Sequence, residues 1–134
     1  MNNYYLDTSI WLDYSELREE NGEKALRLII SLIIDNAIII YSDLILKELR
    51  NVLLTETEIN NLLGIARPDN IKRVHIFKEQ LTEAKKIAKQ RDVPLGDAIH
   101  AVVARDNEAI LVSRDKDFDK LRDIVTTKIP EALF

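Results

Sequence analysis

No cysteine occurs among the 134 residues. Disulfides, thiolate metal sites and cysteine nucleophiles are therefore excluded together. Histidine is almost as scarce, with only His75 and His100, which argues against a histidine-rich zinc site. A metal bound by this chain would be held by oxygen, and oxygen ligands favour Mg²⁺ or Mn²⁺ over softer ions. No excess of positive charge is present either, since the formal net charge is −4. Any contact with nucleic acid must come from a local basic patch, and attraction to an anionic membrane is not expected. The most apolar run, residues 28–34, is bounded by Arg27 and Asp35 at seven residues, far short of the roughly 20 needed to span a bilayer. The opening Met1-Asn2-Asn3-Tyr4 lacks the basic segment of a signal peptide. The expectation is a cytoplasmic chain with no membrane contact.

What is present describes one ordinary globular domain over residues 1–134, 46% apolar and 31% charged. Such a length buries roughly two-thirds of the unfolded surface in a single core. There is no internal repeat, low-complexity tract or linker. Short β-branched or aromatic runs at 4–6, 37–41 and 109–113 read as strands. Amphipathic stretches at 23–36, 44–54, 55–63, 78–91 and 96–105 read as helices. Asn36 ends the first of these helices and Gly64 is expected to close the third. Residues 72–77 read as a weaker strand, 118–122 as a helical turn, and 124–125 or 127–129 as an edge strand. Residues 55–70 are the expected exposed excursion. Alternating strands and helices imply an α/β fold with a central, mainly parallel sheet and helices on both faces.

Acids sit where those runs end. Asp7 follows Tyr4-Tyr5-Leu6, Glu48 lies in the apolar stripe of the helix after the second strand, and Asp97 opens a nearly all-apolar helix. Asp115 follows the third strand, with Asp117 close behind it. In an alternating α/β chain, ligand sites form outside the carboxyl ends of the strands. Acids gathered there repel, at about 4 kcal/mol per pair for roughly 4 Å and an effective dielectric near 20. A divalent cation offsets that cost, so the pattern points to a carboxylate metal site. Other roles compete. Asp7 can serve as a helix N-cap, although Thr8 or Ser9 would cap equally well. Glu48 can be a boundary acid paired with Lys47 or Arg50. Asp97 can simply stabilise the positive end of its helix. The acids at 115, 117 and 119 start like an EF-hand loop, but Lys120 and Thr126 stand where that loop needs Gly and Glu. Asp115 or Asp117 then supplies the fourth ligand, and Asp119 faces solvent. His100, one turn beyond Asp97, reads as a core histidine with one hydrogen bond. Trp11 and tyrosines 4, 5 and 14 read as core or interface.

The motifs Asp7-Thr8-Ser9-Ile10-Trp11-Leu12, Glu48 after Ser42-Asp43, Leu95-Gly96-Asp97-Ala98-Ile99-His100-Ala101 and Leu111-Val112-Ser113-Arg114-Asp115-Lys116-Asp117-Phe118 together resemble the PIN-domain ribonucleases. The similarity is closest to VapC-type toxins and their archaeal relatives, and it covers the whole chain. It implies a three-layer α/β/α domain that binds Mg²⁺ or Mn²⁺ and cleaves RNA. Under it, Asp7, Glu48, Asp97 and Asp115 form the metal and catalytic set, with Asp117 as a fifth acid. Ser9 takes the family's small polar position, and Ser113 stands where Thr is more usual. The resemblance further implies a homodimer, which part of the 29–34 run would serve, and a toxin would have an antitoxin protein as partner. Lys47, Arg50, Arg105, Arg114 and Lys116 lie beside the acids in sequence and are the expected RNA-backbone contacts. A receiver-like signalling domain fits worse, because Asp7 stands alone where receivers carry paired acids. A PIN-like module that only binds is the other alternative, and the complete acid set argues against it.

Overall fold

A parallel sheet covered on both faces needs strands that are apolar on both sides. Tyr4, Tyr5 and Leu6, then Ile39 and Ile40, then Leu111 and Val112 meet that demand, and all are buried. The computed structural model describes residues 2–16 and 19–134. Chain order begins with β1 (Asn3–Leu6), α1 (Thr8–Glu16), α2 (Glu19–Ile34), β2 (Ile38–Ser42), α3 (Asp43–Asn51) and α4 (Glu56–Gly64). It continues through β3 (Ile71–Val74), α5 (Lys78–Arg91), α6 (Leu95–Asp106), β4 (Ala109–Val112), a 3-10 helix (Lys116–Leu121), β5 (Thr127–Lys128) and a closing 3-10 turn (Pro130–Leu133).

All neighbouring strands pair in parallel, in the order β3-β2-β1-β4-β5. Crossovers between parallel strands are right-handed. Stepping outward from β1 to β2 to β3 therefore lays α1 to α4 on one face. Returning across the sheet to β4 lays α5 and α6 on the other, which gives a three-layer α/β/α domain. Packing follows this division, with α1 against α2 and α3, and α6 against α5, β4 and the first 3-10 helix. The reversal of direction opens a crevice between β1 and β4 at their carboxyl ends. Leu6 pairs with Val112, so Asp7 and Ser113 leave the sheet side by side. The Asp7 amide still donates to the Val112 carbonyl at 3.1 Å.

Several elements differ from the sequence expectation, each for a local reason. Helix α2 starts at Glu19, four residues before position 23, with Glu19 and Glu20 in the first turn where the helix dipole favours them. Residues 55–70 are no excursion. Thr55 and Glu58 form a reciprocal capping box at 3.1 and 3.0 Å, and Ile59, Leu62 and Leu63 of α4 face the core. Gly64 does not close α4 in a left-handed turn, since no described glycine has a positive φ. Asn36 and Asp92 take that conformation at the ends of α2 and α5, as short polar side chains tolerate it. Of the two edge-strand options, Thr127–Lys128 is the one that pairs. In the 29–34 run the core takes Ile29 and Leu32, leaving Ile30 and Ile34 exposed one turn apart. Among the described residues, no helix is long and apolar enough to cross a membrane.

Candidate metal centre

Side chains alternate along a strand, so Tyr5 and Asp7 point to the face that α6 covers. Helix α6 begins beside the crevice, which places Asp97 in its first turn at the mouth and His100 one turn deeper. The loop after β4 returns Asp115 and Asp117 toward Asp97. Together Asp7, Thr8, Ser9, Glu48, Asp97, His100, Arg114 and Asp115 line a cleft of about 410 Å³.

The tightest group is Asp97, Asp115 and Asp117, each offering a carboxylate oxygen within 4.8 Å of the others. Asp97 bears the strain of this arrangement. Its Oδ2 is buried with no hydrogen-bond partner. Its pKa is pushed up to about 7, first by burial and next by the negative charge of Asp115, with Asp117 and Asp7 adding to the effect and His100 opposing it. An orphaned carboxylate oxygen beside two further carboxylates fits a hard cation, for which oxygen is the preferred donor. Both candidates for the fourth position, Asp115 and Asp117, approach Asp97. Asp119 turns away and pairs with Arg122 at 2.9 Å.

Asp7 is placed behind this trio and is more heavily engaged. Its Oδ2 accepts from the Ser113 hydroxyl at 2.5 Å, while its Oδ1 accepts from the Ser9 hydroxyl at 2.8 Å and the Ile10 amide at 3.2 Å. The last bond makes Asp7 the N-cap of α1, the competing role that the sequence allows it, which Thr8 or Ser9 could have filled equally well. Burial still pushes its pKa up, against the pull of Ser113, Ser9 and Ile10. Ser113 also accepts from the Asp115 amide at 3.0 Å. That single hydroxyl thereby ties the first acid to the loop carrying the other two.

Glu48 is anchored differently. Its expected neighbours Lys47 and Arg50 do not pair with it, and Arg50 turns to Glu56 at 2.5 Å. Instead Oε1 accepts from the Thr8 hydroxyl at 2.7 Å and from His100 Nε2 at 2.6 Å. Burial alone would raise the pKa of Glu48, but the His100 contact and then Thr8 outweigh it and hold the carboxyl below its ordinary range. Gly96 lies against this carboxylate, and a Cβ there would sit in ordinary contact with Glu48 Oε2 at 3.6 Å.

His100 departs from its expected role as a core histidine with one hydrogen bond. It is only 2% exposed, yet it makes two. Nε2 donates to Glu48, Nδ1 lies 2.6 Å from the Tyr5 hydroxyl, and that hydroxyl lies 2.7 Å from Ser42 Oγ. Burial pushes the Tyr5 hydroxyl far up, so it stays protonated. A chain of polar contacts thus runs from Ser42 at the end of β2, through β1 and α6, to Glu48 on α3. Tyr5, Ser42, Thr8 and His100 were the site residues that sequence reasoning missed. The available signal was the alternation that puts Tyr5 on the same face as Asp7. The expected basic ring is dispersed. Arg105 lies in the last turn of α6, far from the acids, bound to Glu83 at 2.6 Å and Asp106 at 2.9 Å. Arg114 and Lys116 stay beside the cleft, and Lys47 is exposed on α3.

Two outcomes follow for the metal-free protein. The native state holds the Asp97 proton more tightly than the unfolded chain, so between pH 3.8 and about 7 folding takes up protons and stability falls as pH rises. Asp97→Asn should therefore gain stability over wild type progressively across that window and show no pH-dependent gain below it, measured by urea unfolding with a chelator present. Separately, His100→Leu strands Glu48 and Tyr5 and should cost about 2–3 kcal/mol, whereas His100→Gln, which restores an amide donor toward Glu48, should recover part of that loss in the same assay.

The sequence model of the PIN domain family matches residues 4–124. No curated protein matches the chain. Among solved structures, VapBC2 from Rickettsia felis bound to a promoter DNA fragment superposes with a TM-score of 0.72 at 15% identity, covering 95% of this chain and 98% of the other. VapC20 of Mycobacterium tuberculosis, a sarcin-ricin-loop-cleaving toxin, gives 0.69 at 18% identity over 88% and 94%. A toxin-antitoxin complex from Klebsiella pneumoniae gives 0.68 at 16% identity over 95% and 97%. At such identities the superpositions speak for the fold, while the match over residues 4–124 speaks for descent: this chain belongs to the PIN domain family.

Proposed function

We propose that this protein is a divalent-metal-dependent ribonuclease, the toxin of a toxin-antitoxin pair. The observation that carries the reading is Asp97 at the crevice of the sheet, whose Oδ2 is buried without a partner and whose carboxylate comes within 4.8 Å of those of Asp115 and Asp117. Asp97, Asp115 and Asp117 would hold Mg²⁺ or Mn²⁺, with Asp7 and Glu48 completing the negative wall. Bound there, the cation supplies Lewis-acid stabilisation of the charge that builds on a phosphoryl group.

The chain's own residues account for the rest of the hydrolysis. Water attacks phosphorus, the bond to the leaving oxygen breaks, and the water proton must find an acceptor. Glu48 is the ionised carboxylate at hand for that task. His100 and Thr8 keep it ionised through Oε1, which also makes it a weaker base than a free carboxylate, and Oε2 lies beside Gly96. Asp7 keeps Ser113, and through it the Asp115 loop, in register. No side chain has to act as a covalent nucleophile. Family membership supports RNA as the substrate class, and the resemblance to solved toxin-antitoxin complexes supports an antitoxin partner. Ile30 and Ile34 at the end of α2, the latter 76% exposed, support a homodimer formed through that end of the helix. A cytoplasmic location follows from the same reading.

Asp97→Asn should reduce RNA cleavage at least about 100-fold, the loss of a few kcal/mol of transition-state stabilisation, while the metal-free fold is retained. Millimolar Mn²⁺ should raise the melting temperature of the wild type and not of this variant. Full activity of the variant, or wild-type melts unmoved by Mn²⁺ and Mg²⁺, sinks the assignment. For the assembly, light scattering at tens of micromolar should give twice the chain mass, and Ile34→Glu should return the monomer; a wild type that is already monomeric removes the dimer.

A further inference from the structure

A second groove, of about 250 Å³, adjoins the acidic cleft on the side of β5. Its lining includes Arg114, Lys116, Arg122 and Lys128, with Asp115 and Asp119 as the only acids. Four cations against two acids is a local reversal in a chain whose net charge is −4. We propose that this groove carries the phosphate backbone of single-stranded RNA as it leaves the acidic cleft, a role that rests on the ribonuclease reading above.

Continuity is the first support. Arg114 and Asp115 line both the cleft and the groove. Lys128 pairs in register with Val112, and its carbonyl accepts from the Ser113 amide at 3.0 Å. Ser113 in turn donates to Asp7. The β5 edge thus sets Lys128 two hydrogen bonds, both through Ser113, from the first acid of the cleft.

The state of the cations is the second support. Among the described residues, Lys116 and Lys128 make no ion pair, and both are exposed. Arg122 is held only by Asp119, in a pair whose side chains are 71% and 59% exposed, and such surface pairs exchange readily. Arg114 pairs through Nη1 with Glu131, but its Nε and Nη2 are buried without partners. These two nitrogens form one edge of the guanidinium, the edge that meets two phosphate oxygens at once. Turning that edge toward the groove replaces two unmet donors with a bidentate contact. Ile129, half exposed in the same lining, offers an apolar patch to a ribose or base face.

The direction of the track is the third. On the α3 side Arg50 is taken by Glu56, leaving the exposed Lys47, while Arg105 sits at the other end of α6 with Glu83 and Asp106. Phosphates meet unengaged cations mainly on the β5 side. Single-stranded RNA suits this shape better than an acidic protein segment, because only the former also passes a scissile phosphate across the acidic cleft.

The test measures binding of a mixed-sequence single-stranded RNA of about 12 nucleotides in EDTA, where no cleavage occurs, as a function of salt, for wild type, Arg122→Glu and Lys128→Glu. Each reversal should weaken binding about tenfold and lower the slope of log affinity against log salt by about 0.7, the value for one lost phosphate contact on a single strand. Melting curves of the variants should match wild type, since both side chains are exposed. Unchanged affinity and slope in both variants overturn the groove, as does a wild type that binds no RNA. Loss of binding to poly-glutamate alone, with RNA binding intact, overturns it in favour of an acidic protein partner. Cleavage with Mn²⁺ is scored separately: a wild type that cleaves while the variants bind normally loses only the groove, and one that binds through the groove without cleaving loses only the nuclease assignment.

Discussion

The pairing of β1 with β4 is the constraint on which the site depends. Right-handed crossovers allow the chain to step outward from β1 in one direction only so long as its helices stay on one face. Once it returns to the other side of β1, the connections part, and the carboxyl ends of β1 and β4 are left uncovered. Asp7 and Ser113 emerge there one residue after the paired Leu6 and Val112. Helix α6, the element that precedes β4, necessarily starts at the same end of the sheet. Asp97 and the loop of Asp115 and Asp117 therefore converge through topology, although about 90 residues separate the first acid from the third.

Convergence alone would yield equivalent carboxylates. Their surroundings make them unequal. Glu48 receives two donors on one oxygen and stays ionised below its ordinary range. Asp97 receives none on Oδ2, faces Asp115, and holds its proton to about pH 7. Carboxyl groups pushed apart in this way take different tasks. One stays ionised through its donors, and the other holds its proton because burial and Asp115 disfavour its charge. The Ser42–Tyr5–His100 chain maintains the difference, since it fixes the ring that Glu48 leans on from within a core where Tyr5 is 0% exposed.

The cations show how far sequence proximity departs from spatial proximity. Arg105 is eight residues from Asp97 in the same helix, which is about 12 Å along the axis at 1.5 Å per residue. It therefore belongs to the opposite end of the sheet and to Glu83. Arg122 and Lys128 are remote from most of the acids in sequence, yet β5 and the 3-10 helix bring them beside the cleft. A side chain's partner is set by which end of its element it occupies.

Much was legible from residue order alone. Apolar runs bounded by polar turns located the main strands within a residue or two, and α5 at Lys78–Arg91, because burial demands leave a periodic imprint on a chain. The absence of cysteine and the scarcity of histidine restricted any metal to oxygen donors. Asp7, Glu48, Asp97, Asp115 and Asp117 could be singled out because acids at the ends of buried elements conflict with their surroundings. Strand order could not be read, since parallel pairing has no local signature: each strand looks alike whichever neighbour it finds. Nor could the bonds of Glu48 to His100 and Thr8, across 52 and 40 residues, or the double engagement of Ser113. Those contacts depend on α1, α3, α6 and the β1–β4 pair meeting at one end of the sheet, and only the folded chain decides which side chains meet there.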